Sequence, residues 1–155
     1  MNITHKILLT LMVFLVSSCS SISSDRTNDA TAISATAAGA YSDTGLTSNN
    51  VLYFAYDKSD VNSEGRSKIR SLAKLINENN LSVRVEGHCD ERGTREYNLA
   101  LGERRANAAK DYLMTYGISG DRISVISYGK ERPVDSGSNP LSWSKNRRSV
   151  TVKAN

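Results

Sequence analysis

Apolar and polar positions along this chain change period from one segment to the next, and the changes mark its elements. Val51 to Tyr56 is an unbroken apolar and β-branched run that predicts a buried strand. Asp57 to Asn62 is polar and predicts a loop. Ile69, Leu72, Ala73 and Ile76 then fall at i, i+3, i+4 and i+7, one stripe of a helix predicted over 63–79 and ended by Asn79-Asn80. Leu81, Val83 and Val85 alternate with polar residues up to Gly87, the pattern of a half-buried strand. Thr94 offers an N-cap and Glu96 a first-turn acid for a second helix over 95–116, stopped by Gly117. Tyr97, Leu101, Ala108, Ala109, Tyr112, Leu113 and Tyr116 are its expected buried face. Residues 122–128 predict a third strand and 149–153 a fourth. Pro133 to Ser144 reads as an irregular excursion. The order β-α-β-α-β-β predicts an α+β (mixed α/β) domain, two helices packed on one face of a mixed four-stranded sheet.

The N-terminus follows a different rule. Lys6 precedes the apolar run Ile7 to Val16, which is too short to span a bilayer and fits the apolar region of a signal peptide. Val16-Ser17-Ser18-Cys19 resembles a bacterial lipobox, in which cleavage precedes a cysteine that is then lipidated. Cys19 is the expected lipidation site, and acyl chains there anchor a domain at roughly 0.8 kcal/mol per buried CH₂. Ser20 in the following position points to the outer membrane by the enterobacterial sorting pattern. From Ser20 to about Thr44 the chain is rich in Ser, Thr, Ala, Asp, Asn and Gly, a composition that cannot offset ordering entropy and predicts a flexible tether. The expected organisation is a signal peptide over 1–18, a lipid-anchored tether over 19–45 and one domain over 46–155.

Composition narrows the function classes. With 39% hydrophobic and 23% charged residues among 155, the chain has the make-up of a water-soluble core. The net charge of +4 comes without any Lys/Arg block of the nucleic-acid-binding kind. Removing Lys6, Arg26, Asp25, Asp29 and Asp43 from the totals of 20 basic and 16 acidic residues leaves +5 from residue 46 onward, a charge that attracts an anionic polymer over a Debye length of about 8 Å. With Cys19 acylated, Cys89 is the remaining thiol, so no intramolecular disulfide is expected and Cys89 should be at least partly buried.

The richest segment is Gly-His-Cys-Asp-Glu-Arg-Gly-Thr-Arg-Glu-Tyr-Asn-Leu-Ala-Leu-Gly-Glu-Arg-Arg-Ala, residues 87–106. Asp90 falls in a strand-to-helix loop and Arg105 about two turns into the helix, so both point toward one end of a strand–loop–helix unit. A carboxylate and a guanidinium held apart suit a ligand carrying both an ammonium and a carboxylate. His88, Cys89, Asp90 and Glu91 are all potential metal ligands, but consecutive residues leaving a strand face opposite ways and cannot converge on one ion, so neither metal nor cofactor is expected. Adjacent Asp90 and Glu91 should diverge, which leaves a hydrolase without its paired acid and base. A structural salt bridge between Asp90 and Arg105 is the plain alternative to binding.

The segment 53–60 (Tyr-Phe-Ala-Tyr-Asp-Lys-Ser-Asp), the 87–106 run, Ser127-Tyr128-Gly129-Lys130-Glu131-Arg132-Pro133 and Asn146-Arg147-Arg148 together resemble the peptidoglycan-associated lipoproteins of the OmpA-like C-terminal domain family, in order from Val51 to the C-terminus. The resemblance implies an outer-membrane lipoprotein on the periplasmic face. It would bind the peptidoglycan stem peptide non-covalently at meso-diaminopimelate, with TolB and other Tol proteins as partners in envelope integrity and cell division. By position, Asp90 and Arg105 would hold the diaminopimelate. Asp57 would border the cleft, or simply make an Asx turn. Asn98 would bond the ligand or brace the loop, and His88 would brace the loop. One of Arg147 and Arg148 would orient the cleft, the other being exposed. Arg104 should be solvated or face a partner. Relatives carry Ala or Thr where this chain has Cys89. A flagellar stator subunit shares the domain but needs a membrane-spanning helix with a buried Asp, which Ile7 to Val16 does not supply.

Overall fold

Leu46 and residues 49–154 are described by the computed structural model of this chain. The predicted signal peptide, the lipobox at Cys19 and the tether lie outside the described residues. The elements are β1 (Val51–Tyr53), α1 (Ser63–Glu78), β2 (Val83–His88), α2 (Arg95–Thr115), a 3-10 turn (Gly120–Arg122), β3 (Ile123–Gly129), α3 (Pro140–Asn146) and β4 (Arg148–Lys153). The strands form one sheet in the order β1-β4-β2-β3. β2 and β3 run parallel, with α2 as the crossover that parallel neighbours require, and the other pairs are antiparallel. The predicted mixed α+β architecture is therefore present, with one helix more than expected.

That helix, α3, begins inside the segment predicted to be irregular and runs two residues past its end. Asn139 caps it by accepting from the amides of Leu141 and Ser142, and Pro140 occupies the first turn. Pro needs no amide partner there and its fixed φ suits a helix start. The Asn-Pro pair was a helix signal in a stretch that otherwise carries loop residues.

α1 follows its sequence closely. The Asn62 side chain accepts from the Gly65 amide, and Ile69, Leu72, Ala73 and Ile76 are all buried against Leu52, Val83 and Val85 in the core. α2 has the predicted cap at Thr94 and a left-handed Gly117 after its last turn. Its buried face is corrected, however. Tyr97 is 46% exposed, and Ala108, Tyr112 and Tyr116 are only partly buried. Asn98, Gly102, Arg105 and Ala106 take the inner stripe with Leu101, Ala109 and Leu113. Polar residues can occupy it because each has hydrogen-bond partners there.

β1 is also shorter than predicted. It stops at Tyr53, lies at a sheet edge and pairs only with β4. Leu52 and Phe54 turn inward, while Tyr53 and Tyr56 are exposed. The central strand β2 is buried on both sides at its end, including Glu86 and His88. There Gly87 lies against Gly102 of α2. A Cβ on Gly87 would fall well inside contact distance of the Gly102 carbonyl oxygen. This backbone-to-backbone approach, open only to glycine, sets how near α2 comes to the sheet.

Candidate binding pocket

Three elements converge where β2 ends. A register shift between Gly87 and His88 breaks the β2–β3 ladder, and the Cys89 amide then donates to the Gly129 carbonyl at 2.7 Å. From there residues 89–93 run as a loop to the Thr94 cap of α2.

Arg105 lies beneath this loop, about three helical turns into α2 rather than two, and is fully buried. Its Nε donates to the Lys58 carbonyl at 2.9 Å and its Nη2 to the Ala55 carbonyl at 3.2 Å. Its Nη1 donates to the His88 carbonyl at 2.9 Å and to Cys89 Sγ at 3.3 Å. Burial lowers its pKa from the usual guanidinium value, with Cys89 and Asp90 opposing that shift. Four of its five N–H groups are thus committed, so a two-bond grip on a carboxylate is not open to Arg105 in this arrangement. It ties the end of β2 to the segment 54–58.

Asp90 is almost as deep, at 4% exposed, and makes no ion pair with Arg105. Its Oδ1 accepts from the Arg92 amide at 3.1 Å and from Arg92 Nε at 3.2 Å; its Oδ2 accepts from Arg92 Nη2 at 2.7 Å and from Arg147 Nη1 at 3.4 Å. Burial opposes ionisation of Asp90, but these hydrogen bonds outweigh it and hold the carboxyl below its usual value. Sequence reasoning passed over Arg92. Its guanidinium sits 4.2 Å from the ring centres of both Tyr56 and Trp143, two cation–π contacts. The signal for it, an Arg two residues after the key Asp, was on view; the two rings come from distant segments.

Asp57, Asp90, Arg92, Gly93, Tyr97, Asn98 and Arg105 line a pocket of about 60 Å³, with Tyr56, Cys89 and Leu101 completing it. The space suits a small charged end group and no more. Asp57 has a left-handed backbone, which Asp tolerates, and its carboxylate accepts from the Tyr97 hydroxyl. Asn98 braces the loop, donating to the carbonyls of Arg92 at 2.8 Å and Thr94 at 3.0 Å. Of the two candidate arginines, Arg147 is the one that reaches Asp90, though it does not itself line the pocket: it donates to Asp90 and, through Nε, to the Phe54 carbonyl at 3.0 Å. Arg148 instead reaches the Arg132 carbonyl at 3.4 Å. Arg104 is exposed and lies over the Tyr97 ring at 5.8 Å.

His88 requires a correction. Its ring is buried beside Tyr128, and neither ring nitrogen has a hydrogen-bond partner among the described residues. Burial, then the charges of Arg148 and Arg132, push its pKa down to about 3, with only the Arg132 carbonyl pulling the other way. His88 braces the loop through its main-chain carbonyl, not its ring. Cys89 is buried as expected; its thiol donates to the Asn98 carbonyl at 3.3 Å, and burial raises its pKa. Glu91 turns away from Asp90 toward Trp143 Nε1 at 2.9 Å and the Ser138 hydroxyl at 3.0 Å. Among the described residues no group of three or more His, Cys, Asp or Glu side chains is placed to hold a metal ion.

The OmpA family matches residues 53–147. A peptidoglycan-associated lipoprotein of Pseudomonas aeruginosa is 50% identical over 96 residues, covering 62% of this chain and 57% of the relative. One from Mesorhizobium japonicum is 46% identical over 102 residues, covering 65% and 61%. The chain thus spans about three-fifths of the length of these curated relatives. Among solved structures, the peptidoglycan-associated lipoprotein from Burkholderia pseudomallei superposes with a TM-score of 0.66 at 34% identity, over 68% of this chain and 90% of that one. The C-terminal domain of Helicobacter pylori MotB gives 0.63 at 21% identity, over 68% and 84%, which shows a shared fold alone. The chain belongs to the OmpA family.

Proposed function

We propose that this domain binds peptidoglycan non-covalently through the diaminopimelate of the stem peptide. The observation that carries the reading is a carboxylate and a guanidinium, Asp90 and Arg105, that line one pocket without pairing with each other. Diaminopimelate ends in an ammonium beside a carboxylate, the small zwitterion that such a pocket suits. Asp90 is the partner for the ammonium. Arg105 supplies a fixed positive charge under the pocket floor and one uncommitted N–H. Asp57 and Tyr97 border the entrance, and Arg147 holds Asp90 in place.

The wider role follows from the resemblance and from the relatives' names. Lipidated at Cys19 after removal of residues 1–18, the protein would sit on the periplasmic face of the outer membrane. The tether over 19–45 would let the 46–155 domain reach the wall, at a root-mean-square span of about 25–30 Å for roughly 25 flexible residues. TolB and other Tol proteins are the proposed partners, and envelope integrity and division the proposed process.

The test is co-sedimentation of the full chain, held in detergent, with purified diaminopimelate-type peptidoglycan. Asp90→Asn keeps the shape of the side chain and removes its charge, and should cut sedimentation by about tenfold or more. Free L-Ala-D-Glu-meso-diaminopimelate should compete with the wild-type chain. Undiminished sedimentation of a folded Asp90→Asn chain would sink the assignment.

A further inference from the structure

The Asp90 carboxylate has no acceptor position left for an incoming ammonium. Two donors reach each of its oxygens, and three of the four come from Arg92. An ionised carboxylate offers about four such positions. A ligand that uses Asp90 must therefore displace one of its present cations.

The two cations differ in how they are held. Arg147 is mostly covered and is fastened a second time by the Phe54 carbonyl. Arg92 is the more exposed, with a third of its side chain open to solvent, and among the described residues its side chain hydrogen-bonds to Asp90 alone. Otherwise it is gripped only by the faces of Tyr56 and Trp143. The cation–π contacts hold its charge over the rings without fixing a directed bond. Arg92 is thus the group that yields.

From this we propose that Arg92 makes the pocket selective for a zwitterion, admitting an ammonium only when a carboxylate comes with it. The inference rests on the wall-binding reading above and adds a specificity-determining residue to it. A bare ammonium, such as a lysine side chain, takes Asp90 and leaves Arg92 stranded against two rings with its charged hydrogen bonds broken. A ligand with a carboxylate beside its ammonium re-pairs both groups, because Asp90 takes the ammonium and the freed fork of Arg92 takes the carboxylate with two parallel bonds. Arg105 cannot serve in its place, since four of its N–H groups are bound to the protein. Specificity of this kind comes from the charge that the wrong ligand leaves unpaired on the protein.

The test compares two probes on the full chain in detergent by calorimetric titration: L-Ala-D-Glu-meso-diaminopimelate and L-Ala-D-Glu-L-Lys. The wild-type chain should favour the first by about thirtyfold or more, the worth of a charged bidentate pair. In Arg92→Gln that ratio should fall to about threefold or less, chiefly through stronger binding of the lysine tripeptide. Arg92→Lys keeps a charge against Asp90 without the fork, should give an intermediate ratio, and decides the matter if Arg92→Gln does not fold. An unchanged ratio in the folded variants overturns the role of Arg92 while leaving the binding site in place, and so does an equal loss of both tripeptides. Wild-type chain that binds neither probe overturns the wall-binding reading and this one together.

Discussion

Cys89 Sγ lies 3.3 Å from Arg105 Nη1, so the thiol is a hydrogen-bond acceptor for the most deeply buried charge in the domain. The same sulfur donates to the Asn98 carbonyl. Burial raises its pKa, against the pull of Arg105. A thiol both hidden and protonated is a poor nucleophile. In the native protein Cys89 should resist a disulfide reagent at pH 8 and react fully once urea unfolds the chain; rapid native-state labelling would contradict the burial. Cys89→Ala removes one acceptor from Arg105 and should cost about 1–3 kcal/mol.

Replacing Arg105 is a larger injury than a lost ligand contact. Arg105→Ala empties the largest fully buried side-chain site and strands the carbonyls of Ala55, Lys58 and His88. A loss of about 3–5 kcal/mol is expected in urea unfolding. Any failure of this variant to bind peptidoglycan therefore has to be read beside its stability, whereas Asp90→Asn gives the cleaner binding test.

Acid should weaken the fold through His88. Unfolded, the imidazole takes up a proton near 6.5; folded, it does so only near 3. Between those values the unfolded state binds the extra proton, so stability is complete above about 6.5 and declines as pH falls toward 3, by at most about 1.4 kcal/mol per pH unit. Urea midpoints at pH 7.5, 5.5 and 4.5 should show the decline, and His88→Leu should flatten it. An equally steep fall in His88→Leu would assign the acid sensitivity to other groups.

Gly87→Ala should disrupt the domain more than its one methyl group suggests. The added Cβ meets the backbone of Gly102, and neither strand nor helix can rotate it aside. The expected loss exceeds about 3 kcal/mol, with α2 displaced from the sheet, as amide exchange along β2 and α2 would report. A Gly87→Ala protein with wild-type exchange rates would mean that the contact relaxes cheaply.

How much of this was legible depended on which atoms carry each contact. The course of α1 could be read because Ile69, Leu72, Ala73 and Ile76 repeat at a helical interval and all go inside. The ends of α2 were readable from Thr94 and Gly117, and Leu101, Ala109 and Leu113 of its buried face, but not the rest, since Asn98 and Arg105 look like surface residues until their acceptors are known. Asn98 bonds the carbonyls of Arg92 and Thr94, two of the acceptors of Arg105 are main-chain carbonyls 47 and 50 residues before it, and a carbonyl has no letter in the sequence. Asp90 was recognised, yet its partner Arg92 was overlooked because the slot that fixes it is built by Tyr56 and Trp143 from opposite ends of the domain. α3 hid behind a composition of Ser, Gly and Pro.

The segment 54–58 hangs from two guanidinium groups by its backbone. Arg147 bonds the Phe54 carbonyl, and Arg105 bonds those of Ala55 and Lys58. The side chains of Tyr56 and Asp57 add only the contact of the Tyr56 ring with Arg92 and the bond of Asp57 from the Tyr97 hydroxyl. Position and identity are thereby uncoupled along the pocket's entrance. Evolution can exchange what residues 56 and 57 present to a ligand without rerouting the loop that presents them, so related chains can drift toward other wall chemistries on an unchanged mount.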